Sequence, residues 1–393
     1  MFGTRLGLIS PGGPDLLFSS RIFANTAATL LVSVLHCLVA CQPARTSTVA
    51  RSAVGWVVDS IPLLDLSGSP ASSSLMGDPI ASTRFSNGTT AVADRSIPAI
   101  LYFDSVGAAI RSVGRKGKGP GEFEDIVWMG QCGPDSLFVL DGGLIRMTVV
   151  DSSGLIVRQE QFPVVVDQDR LACSRDGRFA AIRYLRGGDY VDTKTWTFSQ
   201  IRGSVLVSDS SGAFKQVLSD IPVRVPRPLG QSTMLALSSS HLYVGTNDSA
   251  VVELFGLDGE PRGQAAVSVS RRRPTAQEYD LGIEAHLAVV FASFAERREH
   301  KGRFTQIPPP EFLPLYGSLV VDAAGTAWVV ISGLEEQRTR LQALVAGQAP
   351  GPIITLPRRL RVFEFGHDYL MGRYDDEQGE VHVVTYRVTR PRE

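Results

Sequence analysis

Chemistry in this chain has to come from residues that are far apart in sequence. His241, His286, His300, His367 and His382 are scattered, and no two have the spacing at which one helix face presents a pair of ligands to zinc. There is no Gly-x-Ser-x-Gly turn to expose a nucleophilic serine, and no Gly-rich loop ending in Gly-Lys-Ser/Thr to cradle a phosphate. No catalytic residue, metal ligand or cofactor is therefore assigned. Binding chemistry is better represented. Tyr184, Arg186, Tyr190, Trp196 and Arg202 fall within one stretch, and aromatic rings with guanidinium groups are the types that anchor interfaces or stack on sugars. The same stretch also reads as an ordinary long connection packed on the fold. Arg115, Lys116 and Lys118 form a short basic run, either a solvated loop or a contact for an anion. Cys132 and Cys173 each stand six residues before a phenylalanine, Phe138 and Phe179. In an oxidising compartment they would pair across neighbouring repeats; two separately buried thiols are the alternative.

The elements that position these residues are short. Glycine (38) and proline (23) fall at intervals between β-branched and aromatic runs, which is a turn-rich pattern. With 44% hydrophobic and 20% charged residues, the chain has the composition of a globular protein that buries a core. Its net charge of −1 gives no overall positive field toward phosphate backbones, so nucleic acid is not an expected partner.

Internal repetition organises the rest. A turn followed by an apolar strand occurs six times, at Asn87-Gly88, Pro134-Asp135, Asp176-Gly177, Ser239-Ser240, Ala324-Gly325 and His367-Asp368. A further run then closes on a turn such as Asp104 to Gly107, Asp151 to Gly154, Asp209 to Gly212 or Asp258-Gly259. Aspartate suits such turns because it accepts from nearby backbone N–H groups, and glycine tolerates positive φ. Each unit reads as a four-stranded antiparallel meander, the blade of an all-β, six-bladed β-propeller spanning residues 54–393. An open ring would leave two apolar faces wet. The strand-like stretch Trp56 to Leu66 precedes the first unit, whereas the last, ending near Val388, lacks an outer strand, and the two are predicted to meet.

One insertion interrupts the pattern. Tyr279, Ile283, Leu287, Val290 and Phe294 form a helical stripe that predicts one α-helix over about 275–300. Thr275 and Glu278 make a capping box behind Pro274, and Arg297, Arg298 and Lys301 suit the carboxyl end of the helix dipole. Lying between the fourth and fifth blades, the helix should fold stripe-down over one face of the ring. There it would act as a cap, a lid or a partner-binding helix.

The stretch Gly114-Arg-Lys-Gly-Lys-Gly-Pro-Gly-Glu-Phe123 is followed by Leu137-Phe-Val-Leu-Asp141, Arg146-Met-Thr-Val-Val-Asp151 and Gly154. This resembles the bacterial six-bladed propeller proteins related to NHL repeats, closely over that one repeat and as a pattern from Trp56 to Val388. Some six-bladed propellers, notably the gluconolactonase-like family, hold a divalent metal in the channel with acidic and Asn residues from several blades. Asp94, Asp141 and Asn247 stand at roughly corresponding strand ends here, where a lone aspartate also serves as an ordinary turn former. A non-catalytic binding or scaffolding module is the expectation. A metal-dependent hydrolase or lyase acting in the channel is the alternative.

The amino terminus reads as an address. Arg5 and Arg21 precede an apolar stretch from Ala27 to Ala40 that has the length of a signal-peptide core. Leu38-Val39-Ala40-Cys41 resembles a bacterial lipobox. That resemblance implies a lipoprotein signal peptide over residues 1–40, lipidation of Cys41, and a small, polar tether over 41–53. An ordinary signal peptide, or a buried helix with a chance cysteine, is the other reading. The expectation is an exported monomer, lipid-anchored in the cell envelope and outer-membrane or periplasm-facing, with an unidentified protein, peptide or glycan as partner.

Overall fold

The structure is a computed structural model. It describes residues 55–67, 76–163, 170–184, 191–192, 197–198, 201–224, 227–290, 294–331, 337–347 and 349–391. The leader, Cys41 and the tether lie outside the described residues, as do Arg186, Tyr190 and Trp196.

Six antiparallel sheets follow one another in chain order; the first five are four-stranded meanders from innermost to outermost strand, and the sixth takes its outermost position from an earlier part of the chain. Blade 1 is Pro79–Arg84, Thr90–Asp94, Ala99–Phe103 and Ala109–Val113. Blade 2 is Ile126–Gly133, Ser136–Asp141, Arg146–Asp151 and Ile156–Gln161. Blade 3 is Leu171–Cys173, Phe179–Tyr184, Ile201–Ser208 and Phe214–Val223, with a short hairpin, Val191–Asp192 paired with Thr197–Phe198, between its second and third strands. Blade 4 is Thr233–Leu237, His241–Thr246, Val251–Gly256 and Pro261–Ala266. Blade 5 is Ser318–Val321, Ala327–Ile331, Arg340–Ala343 and Ile353–Thr355. Blade 6 opens with Arg361–Phe365, Tyr369–Asp375 and Val381–Thr389.

The six turns recognised in sequence each join an innermost strand to its neighbour. In blade 1 the second and third strands are buried along their whole length, because both faces meet an adjacent blade, while the outermost strand is largely exposed. Middle strands therefore read as unbroken apolar runs rather than alternating ones. The core is divided into inter-blade layers: Ile100 and Tyr102 pack with Leu137 and Val139, and Trp328 and Val330 with Phe365 and Tyr386.

The Asp-x-x-Gly turns share one construction. Asp104 Oδ1 accepts from the N–H groups of Val106 (3.0 Å) and Ala108 (2.8 Å), and Gly107 sits at φ +88°, where a side chain would be strained. Asp151 and Asp209 repeat the arrangement, and so do Asp322 and Asp376 in blades 5 and 6.

Blade 6 is completed from the other end of the chain. Val57 and Val58 pair with Thr389 and Val388, and Leu64 and Asp65 with Thr385 and Val384. The seam is packed as well as hydrogen-bonded: the Trp56 ring lies 5.0 Å from Trp328 and 5.9 Å from Phe365, and the Arg390 guanidinium sits 5.0 Å over it.

The helical insertion departs from the single helix expected. It forms two, α1 (Ala276–Val290) and α2 (Phe294–Phe304). The capping box is made: Thr275 Oγ1 accepts from Glu278 N–H (3.2 Å) and Glu278 Oε2 accepts from Thr275 N–H (2.8 Å). Tyr279, Ile283 and Leu287 are buried in a cluster completed by Leu229 and by Phe304 of α2. Contacts join the two helices. With two separate helices, Lys301 pairs with Glu284 and the Phe304 ring packs 5.2 Å from His286, where one straight rod would carry a strongly polar segment away from its partners.

Candidate ligand site at the ring axis

The innermost strands of all six blades run along the axis, so residues at their ends converge although they are distant in sequence. Where these strands end, a cavity of about 350 Å³ draws its lining from every blade, including Thr83, Gln131, Arg175, Leu235, Leu319 and Glu364. Its polar side chains are bonded to one another. Arg175 Nη2 donates to Glu364 Oε1 (2.9 Å), the backbone N–H of Arg84 donates to Glu364 Oε2 (2.9 Å), and Thr83 Oγ1 donates to Gln131 Oε1 (3.3 Å). Burial pushes the Glu364 carboxyl above its ordinary value, and the Arg175 charge opposes that rise. Tyr369 donates to the Arg84 carbonyl (3.2 Å), and its own hydroxyl is raised by burial. The buried Ser82 hydroxyl, also in the lining, finds no partner among the described residues.

The opposite mouth, where the innermost strands begin, is wider and differently charged. A cavity of about 1780 Å³ opens there between blades 1, 2 and 6 and the helical insertion. Arg95, Arg115 and Lys116 line it from blade 1 and the loop that follows. Arg359, Arg361 and Arg373 contribute from blade 6, and Arg297 from α2. Four carboxylates stand against these seven cations: Asp78, Glu124, Asp125 and Asp375. Asp78 is shared by two guanidiniums, Arg95 (2.7 Å) and Arg373 (2.8 Å), and its carboxyl is lowered against the cost of its burial. Asp125 is raised, chiefly by burial.

The Asp and Asn residues weighed as metal ligands have other work. Asp94 accepts from the N–H groups of Gly77 (2.8 Å), Asp78 (3.0 Å) and Ser96 (2.8 Å), and Asp141 from those of Glu124 (2.7 Å) and Leu144 (3.0 Å). Asn247 accepts from Ser232 N–H (2.7 Å) and donates to the Tyr316 carbonyl (3.0 Å). Each ties the end of a second strand to the lead-in of its innermost strand. Among the described residues, Asp376, Glu380 and His382 could bring ligand atoms within 4.8 Å of one another in blade 6, with Asp65 Oδ2 3.0 Å from His382 Nδ1.

The residues singled out in sequence are only partly brought together. Arg115 and Lys116 line the mouth; Arg115 pairs with Glu122 (2.8 Å), Lys118 with Glu124 (3.1 Å), and Lys116 donates to the Glu124 carbonyl. Arg202 is exposed near the start of the third strand of blade 3 and pairs with Asp220 (2.6 Å). Tyr184 lies in the second strand of blade 3, opposite Gly203. Cys132 and Cys173 form a disulfide between blades 2 and 3, with Cα atoms 5.5 Å apart, and Cys173 reaches the channel lining. Sequence reasoning missed Arg95, Arg175, Arg359, Arg361, Glu364 and Arg373. The signal that could find them is register, since they sit at or beside strand ends that the repeat turns mark out.

No family model matches the chain, and no curated protein matches it in sequence. Solved structures do resemble it in fold. A protein of Bacteroides fragilis whose name marks it as exported superposes with a TM-score of 0.50 at 12% identity, covering 87% of this chain and 97% of its own. A DUF4221 family member from Bacteroides vulgatus gives 0.49 at 11% identity, over 86% and 99%. A luciferin-regenerating enzyme gives 0.41 at 14% identity, over 85% and 95%. The first of these likenesses shows a shared fold alone.

Proposed function

We propose that the chain is the binding module of an exported, lipid-anchored envelope protein, which holds a ligand at the axis of its ring without transforming it. The observation that carries this reading is the use made of the carboxylates that could hold a metal. Glu364 is ion-paired to Arg175, while Asp94 and Asp141 spend their oxygens on backbone N–H groups, as the Asn247 amide oxygen does. A metal-dependent hydrolase needs three or more such groups free to converge on one ion. The likeness to an exported protein, and the lipobox-like Leu38 to Cys41, support export and anchoring through Cys41. Among the described residues no helix is long and apolar enough to cross a membrane.

The test is a divalent-metal analysis of the purified protein, combined with thermal unfolding before and after chelation. No stoichiometric metal and no change in Tm are expected. A tightly held ion whose removal lowers Tm would put the channel hydrolase ahead. Lipidation is tested separately: the wild type should incorporate labelled palmitate and a Cys41→Ser variant should not.

A further inference from the structure

The wide mouth has the charge and the size of a site for one class of ligand. Seven cationic side chains line it against four carboxylates, in a chain whose net charge is −1, so the positive charge is local to this face. Six of the seven are arginines, whose planar forks match the oxygen pairs of carboxylate and phosphate groups. Several of these cations are ion-paired, Arg95 and Arg373 with Asp78, Arg373 also with Asp375, and Arg115 with Glu122; counting Glu122, the cations still outnumber the carboxylates seven to five. Low-dielectric walls focus the field of that cationic surplus on what enters. The cavity of about 1780 Å³ exceeds the roughly 300–1,000 Å³ that suits a compact small molecule. It has room for a longer ligand with several charged groups.

We infer that the mouth between blades 1, 2 and 6 binds an organic oligoanion, a short chain carrying several carboxylate or phosphate groups. Arg359, Arg361 and Arg373 meet it from blade 6, and Arg95 from blade 1. Arg297 reaches the cavity from α2, which gives the helical insertion a part in binding: α1, through Ala285 and Ala288, lines one side of the mouth and α2 adds a cation to it. This rests on the binding-module reading and supplies its ligand class.

The experiment is calorimetric titration of the purified protein with trigalacturonate and with tripolyphosphate, at about 50 and about 300 mM NaCl, a range over which exposed charges become strongly screened. Binding of at least one probe is expected, weaker at the higher salt, and weakened about tenfold or more by Arg359→Gln combined with Arg361→Gln. Arg297→Gln is a second variant, remote from the blade strands, and should weaken binding severalfold. Arg262→Gln, on the outermost strand of blade 4, should change nothing. Binding of trigalacturonate alone assigns a carboxylate source, and of tripolyphosphate alone a phosphate source. The inference is overturned if neither probe binds at low salt, if the double variant binds as the wild type does, or if a thymidine oligonucleotide binds more tightly than both. Failure here leaves the metal analysis untouched, and a metal-dependent Tm would overturn the non-catalytic reading without altering this titration.

Discussion

Arg146, at the start of the third strand of blade 2, donates across 3.2 Å to the carbonyl oxygen of Gly119 in the glycine-rich loop leading into the same blade. It also donates to the carbonyl of Glu122 and, at 3.4 Å, to that of Lys118. Loop and arginine are thus two halves of one brace. The loop also needs its bare backbone: Gly114 has φ +89°, and a Cβ there would come within 2.4 Å of the buried Phe123 ring. Arg146→Ala should lower stability by about 2 kcal/mol, the range for hydrogen bonds to a charged group. Urea midpoints would measure it, and Arg146→Lys should recover only part, because an ammonium cannot fork.

The cap of α1 should show in the pH dependence of stability. The bond from Arg272 holds the Glu278 carboxyl down at about 2 against the cost of its desolvation, helped by the backbone and hydroxyl of Thr275. A lowered carboxyl contributes stability that is complete above its unfolded value of about 4.3 and is lost as pH falls toward the folded value. The stability gap between wild type and Glu278→Gln should be constant above about pH 5 and should close toward pH 2. Thr275→Ala should cost about 1 kcal/mol at neutral pH, as loss of an N-cap does.

Reduction should soften the junction of blades 2 and 3. Cys132 and Cys173 are 41 positions apart, a loop for which closure entropy corresponds to about 4 kcal/mol. Differential scanning calorimetry with and without dithiothreitol should show a lower Tm on reduction. A double Cys→Ala variant should be insensitive to the reductant.

Arg175→Gln should destabilise the channel more as pH rises. Glu364 is already raised by burial, and removing the Arg175 charge takes away what opposes that rise. A carboxyl raised in the folded state favours folding while protonated, and that contribution is lost as pH climbs through the folded value. At pH 8 the variant should be less stable than the wild type by about 1.5–3 kcal/mol, with a smaller difference at pH 4, where the lost partner matters less.

Local features were readable from sequence, and features assembled by the ring were not. The Asp104 to Gly107 turn and the Thr275–Glu278 box each lie within four residues, so composition and spacing reveal them. Trp56 to Leu66 was legible for another reason: the last repeat lacked a strand and the chain had one to spare. Arg175 and Glu364 are 189 positions apart, and nothing near either announces the other. Apart from Arg115 and Lys116 of the glycine-rich stretch, the cations of the mouth run from Arg95 to Arg373 without a motif, because it is blade geometry that brings them to one face. The division of the insertion into α1 and α2 goes with tertiary contacts, His286 against Phe304 and Lys301 with Glu284, that helical periodicity does not encode.

The seam of blade 6 also sets a timetable. Ser67 Oγ donates to the carbonyl of Val381, 314 positions away, so one of the earliest described parts of the chain is bonded to one of the last. A polypeptide that emerges amino end first cannot make that bond until the chain as far as Val381 has emerged. Until then five blades and part of a sixth stand as an open arc, with unpaired backbone along Val381–Thr389 and apolar surface on the first and last blades. Contacts so distant in sequence form slowly, and the interval before closure is when this protein is most exposed to self-association.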